Sequence, residues 1–288
     1  MSSNLRPTGR HGMRLLPLCV ALAGLSVPTA RAAGDGAPDP LSDTWELSLG
    51  MYVVEANTDV TLDGKAGEQG TKVDWNQEFG GGSQTRFRVD AQWRFAERHK
   101  LKAMWFSSSR SKNSEIDRDI SWGGEIYPLG ATVKGSLDYD VYLLDYEYAF
   151  MRRDSYELSA SIGAYYANWT ATLDATLDDP ENPGTDIRQR GDASLSAPLP
   201  VLGLRGQWVL PYDFNFDITG QWFYLSVNEY SGDLENYRAT LTWQPKTWLG
   251  IGVGYDWFGA HGDVDKNDFR GSLDWSFSGL MVYYKASF

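Results

Sequence analysis

Cysteine is almost missing from this chain. Its one copy, Cys19, sits in a leader-like N-terminal stretch, so residues 33–288 carry none. That excludes a disulfide framework, a thiolate metal site and a cysteine nucleophile together. It also suits a chain that crosses an oxidising compartment unfolded. Histidine is scarce, with His99 and His261 the two copies beyond the leader. Basic residues are outnumbered, 26 Lys plus Arg against 38 Asp plus Glu. No basic cluster stands ready to displace the counterions of a polyanion, so nucleic acid is excluded as a partner. Past residue 27 there is no run of roughly 18 or more apolar residues, which excludes a spanning helix. No cofactor motif is found.

The first 32 residues read as a secretory signal peptide. Arg6, Arg10, His11 and Arg14 form a positive region, Leu15 to Val27 an apolar stretch too short to span, and Ala30-Arg31-Ala32 a small-residue cleavage site. Lipidation at Cys19 is the rival, but Leu16-Pro17-Leu18 before it lacks the small residues such a site needs. Cleavage after Ala32 removes four arginines and no acid, taking the formal charge from −12 to −16. Residues 33–43 then form a short periplasmic segment ahead of the folded part, 44–288.

What the chain has in abundance is aromatic residues, 12 Trp, 16 Tyr and 12 Phe, set in alternating segments. In Gln84 to Phe95, the residues Thr85, Phe87, Val89, Ala91, Trp93 and Phe95 share one face and Gln84, Arg86, Arg88, Asp90, Gln92 and Arg94 the other. Tyr156 to Ala167, Phe214 to Tyr224, Tyr237 to Trp243 and Leu249 to Trp257 repeat the pattern. A period of two is the mark of strands with one apolar and one polar face. The aromatics are also sorted by height. Phe214 and Phe216 begin a strand that Trp222 and Tyr224 end, about 20 to 25 Å apart, the spacing of two interfacial girdles. Trp93, Phe95, Tyr146, Tyr148, Trp243 and Trp248 join the lower girdle; Trp105, Tyr139, Tyr166, Tyr255 and Trp257 join the upper. The fold expected is all-β, an antiparallel transmembrane β-barrel.

Ten strands are read, near 44–56, 84–96, 100–110, 131–150, 155–169, 197–210, 213–225, 234–244, 247–258 and 269–288. Twelve result if part of a long loop pairs as an extra hairpin. In two strands the apolar residues change phase, from Tyr139 and Val141 to Tyr142, Leu144 and Tyr146, and from Phe277 to Leu280 and Val282. Each is expected to be a β-bulge.

The last strand alternates Leu280, Val282, Tyr284, Ala286 and Phe288 and stops on that Phe. This resembles the assembly signal of Gram-negative outer-membrane β-barrel proteins, with Val282, Tyr284 and Phe288 in the signal positions. The resemblance implies residence in the bacterial outer membrane, insertion by the barrel-assembly machinery, and lipid and lipopolysaccharide as surroundings. It implies no activity, and the oligomeric state stays open. Short turns at Ala96 to His99, Met151 to Asp154, Pro211 to Asp213 and Gln244 to Thr247 alternate with long acidic connections. In such barrels short turns face the periplasm and long loops the outside.

The strand phases point Arg86, Arg88, Arg94, Lys102, Arg205, Arg238 and Arg270 into the lumen, with Asp90, Asp145, Glu147, Glu157, Asp217, Asp256 and Asp274. Signs are balanced, and a barrel of this size holds side chains rather than a wide channel. Two readings follow: an ion-pair network filling the lumen of a structural or surface protein, or a narrow small-solute pore. The loop acids, Asp174, Asp178, Asp179, Glu181 and Asp186, and then Asp263, Asp265, Asn267 and Asp268, read as solvated. The second string starts like a calcium loop but has Asp268 where the sharp turn wants Gly. The enzyme alternative is an omptin-like protease or a lipid-modifying enzyme. Asp59, Asp63, His261 and Asp263 invite the omptin comparison, although His261-Gly262-Asp263 reverses that family's Asp-x-His order. Lipid hydrolysis needs a His-Ser arrangement, which neither His99 in a turn nor His261 in a loop supplies.

Overall fold

The computed structural model describes residues 39–62, 70–79, 84–122, 124–178, 186–227, 230–266 and 269–288. The signal peptide, Asp63, Asp179, Glu181, Asn267 and Asp268 lie outside them. Ten strands close a ring: β1 (Trp45–Leu62), β3 (Gln84–Ala96), β4 (His99–Glu115), β7 (Thr132–Arg152), β8 (Tyr156–Asp178), β9 (Asp186–Val209), β10 (Phe214–Val227), β11 (Tyr230–Lys246), β12 (Leu249–Lys266) and β13 (Phe269–Ser287). Neighbours are antiparallel throughout, and β13 returns to β1 from Glu46↔Ser287 to Leu62↔Gly271. Between ring strands lie the short β2 (Val73–Asp74), helix α1 (Trp75–Phe79) and a hairpin of β5 (Ile120–Trp122) and β6 (Glu125–Tyr127). The hairpin pairs only with itself, so the ring stays at ten.

The outer wall carries an apolar belt. On β1 it runs Trp45, Leu47, Leu49, Met51 and Val53; on β7, Tyr142 to Phe150 at every second residue; on β13, Leu280, Val282 and Tyr284, all exposed. Nine residues of strand cover about 27 Å, enough for a tilted strand to cross a bilayer core. The lower edge is aromatic: Trp45 stacks on Trp93 at 5.3 Å, and His99, the first residue of β4, lies between Phe95, Tyr146 and Tyr148. Its Nδ1 is 2.6 Å from the Tyr146 hydroxyl.

Both expected bulges are absent. β7 pairs without a break from Thr132 to Tyr148 with β4, and β13 from Phe269 to Ala286 with β12. The register shifts fall instead at the short-turn ends of the strands, at Ala149/Met151, Arg94/Ala96 and Trp243/Lys246. Tyr139, Val141, Trp275 and Phe277 stay on the inward face and are buried, so Tyr139 leaves the upper girdle. The apolar residues change phase because the solvent changes side. Within the belt lipid is outside and the polar lumen inside. Above it water is outside, and the apolar residues turn in.

The strands therefore continue through stretches expected to be loops, into a head above the belt, at the end expected to be extracellular. There the wall parts along two seams. β3 pairs with β1 only up to Val54↔Gln84 and with β4 only up to Arg88↔Phe106. β9 and β10 separate beyond Leu202↔Trp222. One sheet is then β4-β7-β8-β9 and the other β10-β11-β12-β13-β1, extended by β2. Their inner faces enclose a core in which Trp275 meets Trp169 at 5.1 Å and Phe258 at 4.8 Å.

Helix α1 and the β5-β6 hairpin fill this core from above. Asp74 Oδ1 caps α1 by accepting the backbone N–H of Asn76 and Gln77, each at 2.9 Å. Phe79 lies flat on Gly135, where a Cβ would come within 2.6 Å of its ring, and Trp122 lies on Gly191, where a Cβ would come within 2.7 Å. At the opposite end Pro40 and Leu41 tuck into the periplasmic mouth, and Arg152 holds the Leu41 carbonyl at 2.8 Å.

Candidate functional site: a charge-paired lumen and an outward rim cluster

The membrane-level lumen is filled by ion pairs in two tiers. Nearest the periplasm, Lys100 is wholly buried between Glu147 and Glu157, its Nζ 2.5 Å from the latter and 3.2 Å from Gln207 Oε1. Arg94 bonds Glu157 at 3.0 Å, and Lys102 and Arg205 each reach Glu147 at 3.5 Å. Arg205 also grips Asp217 at 2.5 Å and Gln92 at 2.7 Å. In the upper tier Arg88 takes Asp90 with two N–H groups, at 2.8 and 2.9 Å, and Asp256 at 2.8 Å. Arg238 spans the same two carboxylates at 3.1 and 3.4 Å. Glu46 and Lys285 pair at 2.8 Å across the closing β1-β13 seam. Buried charges are tolerable only when paired in this way.

Asp145 is the exception, bonded by Gln221 at 3.2 Å with no cation at ion-pair distance. A cavity of about 120 Å³ remains, lined by Glu46, Arg88, Gln92, Lys102, Asp217 and Lys285 among others and bounded by Pro40 and Leu41. Against the roughly 10 to 15 Å³ of open volume that one water needs, a polar cavity of this size has room for several waters.

Asp274 is not part of this network, contrary to the sequence reading. It alternates with buried Trp275 and half-buried Leu273 and so faces outward, because the apolar residues of β13 turn inward above the belt. The Arg270 side chain lies outside the described residues. Arg86 faces inward and joins no ion pair.

On the outer wall of the head Asp274 forms a cluster with His261, which the structure places in β12 rather than a loop. His261 Nδ1 is 2.5 Å from Asp274 and Nε2 is 2.7 Å from Asp263. Lys72 Nζ lies 2.9 Å from Asp59 and 3.8 Å from Asp274. Asp233 lies opposite His261 in register. Partial burial works against the imidazolium, but the carboxylates of Asp274 and Asp263 outweigh it and raise the His261 pKa. Asp233 is raised by burial and by its acidic neighbours against the pull of His261. Of the four residues compared with omptins, Asp59, His261 and Asp263 thus share one patch. With both ring nitrogens engaged, His261 has none free to take a proton from water. Among the described residues no group of three side chains is arranged to hold a metal.

No family model and no curated protein matches the sequence. The structure is similar to the outer-membrane protease OmpT of Escherichia coli, with a TM-score of 0.56 and 11% identity over 85% of this chain and 96% of that one. The fold is that of the outer-membrane β-barrels. Weaker likenesses are to the toluene transporter TodX of Pseudomonas putida, TM-score 0.36 and 10% identity over 89% of this chain and 91% of that one, and to a Pseudomonas aeruginosa FadL homologue, TM-score 0.37 and 7% identity over 88% and 92%.

Inside the barrel lie several charged residues that the sequence analysis does not name. Lys100 shares the phase of Lys102, and Glu46 and Lys285 share the inward phase of their strands, so parity alone finds them. Val282, Tyr284 and Phe288 stand on the outer wall, and the Phe288 backbone is tied to Trp45 at 2.9 Å.

Proposed function

We propose that the chain is an outer-membrane surface barrel that does not conduct, whose working part is its extracellular head. The observation that carries this is that the interior is obstructed at three successive levels, with a cavity of about 120 Å³ left within the ion-pair tiers. Pro40 and Leu41 stand at the periplasmic mouth, two tiers of paired charges follow, and an aromatic core capped by α1 and the β5-β6 hairpin closes the outside. A solute path would have to break buried ion pairs and part a packed core. The aromatic girdles and apolar belt support residence in the outer membrane among lipid and lipopolysaccharide. The alternating last strand supports delivery by the barrel-assembly machinery. In planar bilayers the folded protein is expected to give no conductance steps, and reproducible steps would overturn the reading.

The second reading is hydrolysis at the rim, favoured by His261 held between Asp263 and Asp274 on a barrel with the fold of a known protease. It ranks second because neither imidazole nitrogen is free. Peptide cleavage by the folded protein that His261→Ala abolishes would establish it; absence of cleavage by the wild type removes it.

A further inference from the structure

In the membrane-level lumen every inward lysine or arginine discussed above has a carboxylate within ion-pair distance. Two inward arginines higher up do not. Arg86, near the top of β3, donates only a long 3.5 Å bond from Nη1 to the Thr85 carbonyl, and Arg110 on β4 donates from Nη1 to Asn76 Oδ1 at 2.9 Å. Arg86 Nε and Arg110 Nη2 are buried N–H groups without a partner. So is the hydroxyl of Ser108, a residue more than nine-tenths buried.

Arg88↔Phe106 is the last pair of β3 with β4, and the same count carried past it sets Arg86 at the level of Ser108, with Arg110 the next inward residue of β4. Arg86 and Arg110 are near enough for the charge of one to act on the other. Burial and the charge of Arg86 hold the Arg110 guanidinium below its ordinary pKa, although Tyr139 and Asp74 act the other way. Asp74 is already engaged in capping α1. Buried donors in folded proteins are normally satisfied, and a local excess of them beside uncompensated positive charge points to an ion.

We propose that Arg86, Ser108 and Arg110 form a binding site for a phosphoryl oxyanion at the seam where β3 ends between β1 and β4. Three donors on separate side chains suit a tetrahedral group with non-coplanar oxygens better than a flat carboxylate. The site lies just above Phe87 and Trp105 of the outer belt, the height at which lipid phosphates sit. The phosphoryl group has two sources, a soluble anion entering from outside or a lipid headgroup reaching through the seam.

The test is the thermal unfolding midpoint of the folded barrel, followed by tryptophan fluorescence. Inorganic phosphate is titrated against chloride at equal ionic strength, and the protein is separately placed in phosphate-free dodecyl maltoside micelles with and without lipid A. A saturable rise with inorganic phosphate supports the site with a soluble source; a rise with lipid A alone supports it with a lipid source. In either case Arg86→Gln and Arg110→Gln must each weaken the half-saturating concentration at least about tenfold. Without anion these variants should be no less stable than wild type, because each removes a repulsion; a merely structural arginine would lower the midpoint with or without phosphate. No rise with either source, or variants that respond as wild type does, overturns the proposal.

Discussion

Lys100→Met is the sharpest perturbation of the charge-paired lumen. Methionine matches the lysine stem in volume, so the change removes a charge and little packing. Glu147 keeps Lys102 and Arg205, both at 3.5 Å, and Glu157 keeps Arg94 at 3.0 Å. Breaking one partner of a buried ion pair costs about 3 to 5 kcal/mol. Because both carboxylates retain a cation, the loss expected here is at the low end, about 3 kcal/mol. Urea unfolding in detergent micelles, read by tryptophan fluorescence and extrapolated linearly to water, measures it. Adding Glu157→Gln removes the carboxylate left over, so the double variant should recover about 1 to 2 kcal/mol against the sum of the single changes. A loss below about 1 kcal/mol for Lys100→Met, or strict additivity in the double variant, would refute the view that these buried charges are mutually compensated.

Three further outcomes follow from the geometry. The raised His261 pKa means its contribution to folding is full below the ordinary imidazole range and fades as pH climbs through the folded-state value; amide exchange at the upper ends of β11 to β13 should quicken over that rise, and His261→Gln should flatten the profile. Tyr212 and Asp213 both hold positive φ, 62° and 63°, in the β9-β10 turn, so replacing them with Asn and Gly should stabilise the barrel by about 1 kcal/mol in urea titrations. Arginine scanning should report the exchange of solvent along the wall: Leu144→Arg in the belt costs about 2 to 4 kcal/mol, Thr170→Arg on the outer face of the head stays within about 0.5 kcal/mol, and Ala171→Arg beside it prevents folding of the head, seen as lost near-ultraviolet circular dichroism.

Parity read along the chain was enough for the belt. Trp45 to Val53, Phe87 to Phe95 and Leu280 to Tyr284 stand on the outer wall because lipid demands apolar side chains at every second position. Parity alone does not say which side is apolar, and that is where the reading went astray. Tyr139 and Asp274 were given the wrong face for one reason: the head has water outside and hydrocarbon inside, so the rule that held lower down runs backwards there. A run such as Tyr139, Val141, Tyr142, Leu144 has the same hydrophobic pattern whether the strand is bulged or the environment is exchanged. The continuous register of β7 decides between them. Helix α1 is too short to leave a helical period in the sequence, and the β5-β6 hairpin has only three residues per strand. The ion-pair partners were a different matter. Their facing was legible, but which cation meets which acid depends on stagger between strands far apart in sequence, such as Arg88 and Asp256.

The exchange of solvent also decides where charge acts. At membrane level the lumen sets Arg88, Arg94, Lys100, Lys102, Arg205, Arg238 and Lys285 against Glu46, Asp90, Asp145, Glu147, Glu157, Asp217 and Asp256, so its signs cancel. The surplus acid must then lie outside the lumen. On the head it is found on the outer wall at Asp59, Asp233, Asp263 and Asp274, relieved locally by Lys72 and His261. Salt screens such a surface within about 10 Å, so its field reaches only what comes into near contact. A barrel whose charges cancel within the belt and are in surplus only where it meets water offers its net field on the head, as the proposed surface role requires. There the outward rim cluster is acidic, and the seam between β1 and β4 holds the uncompensated positive charge of Arg86 and Arg110.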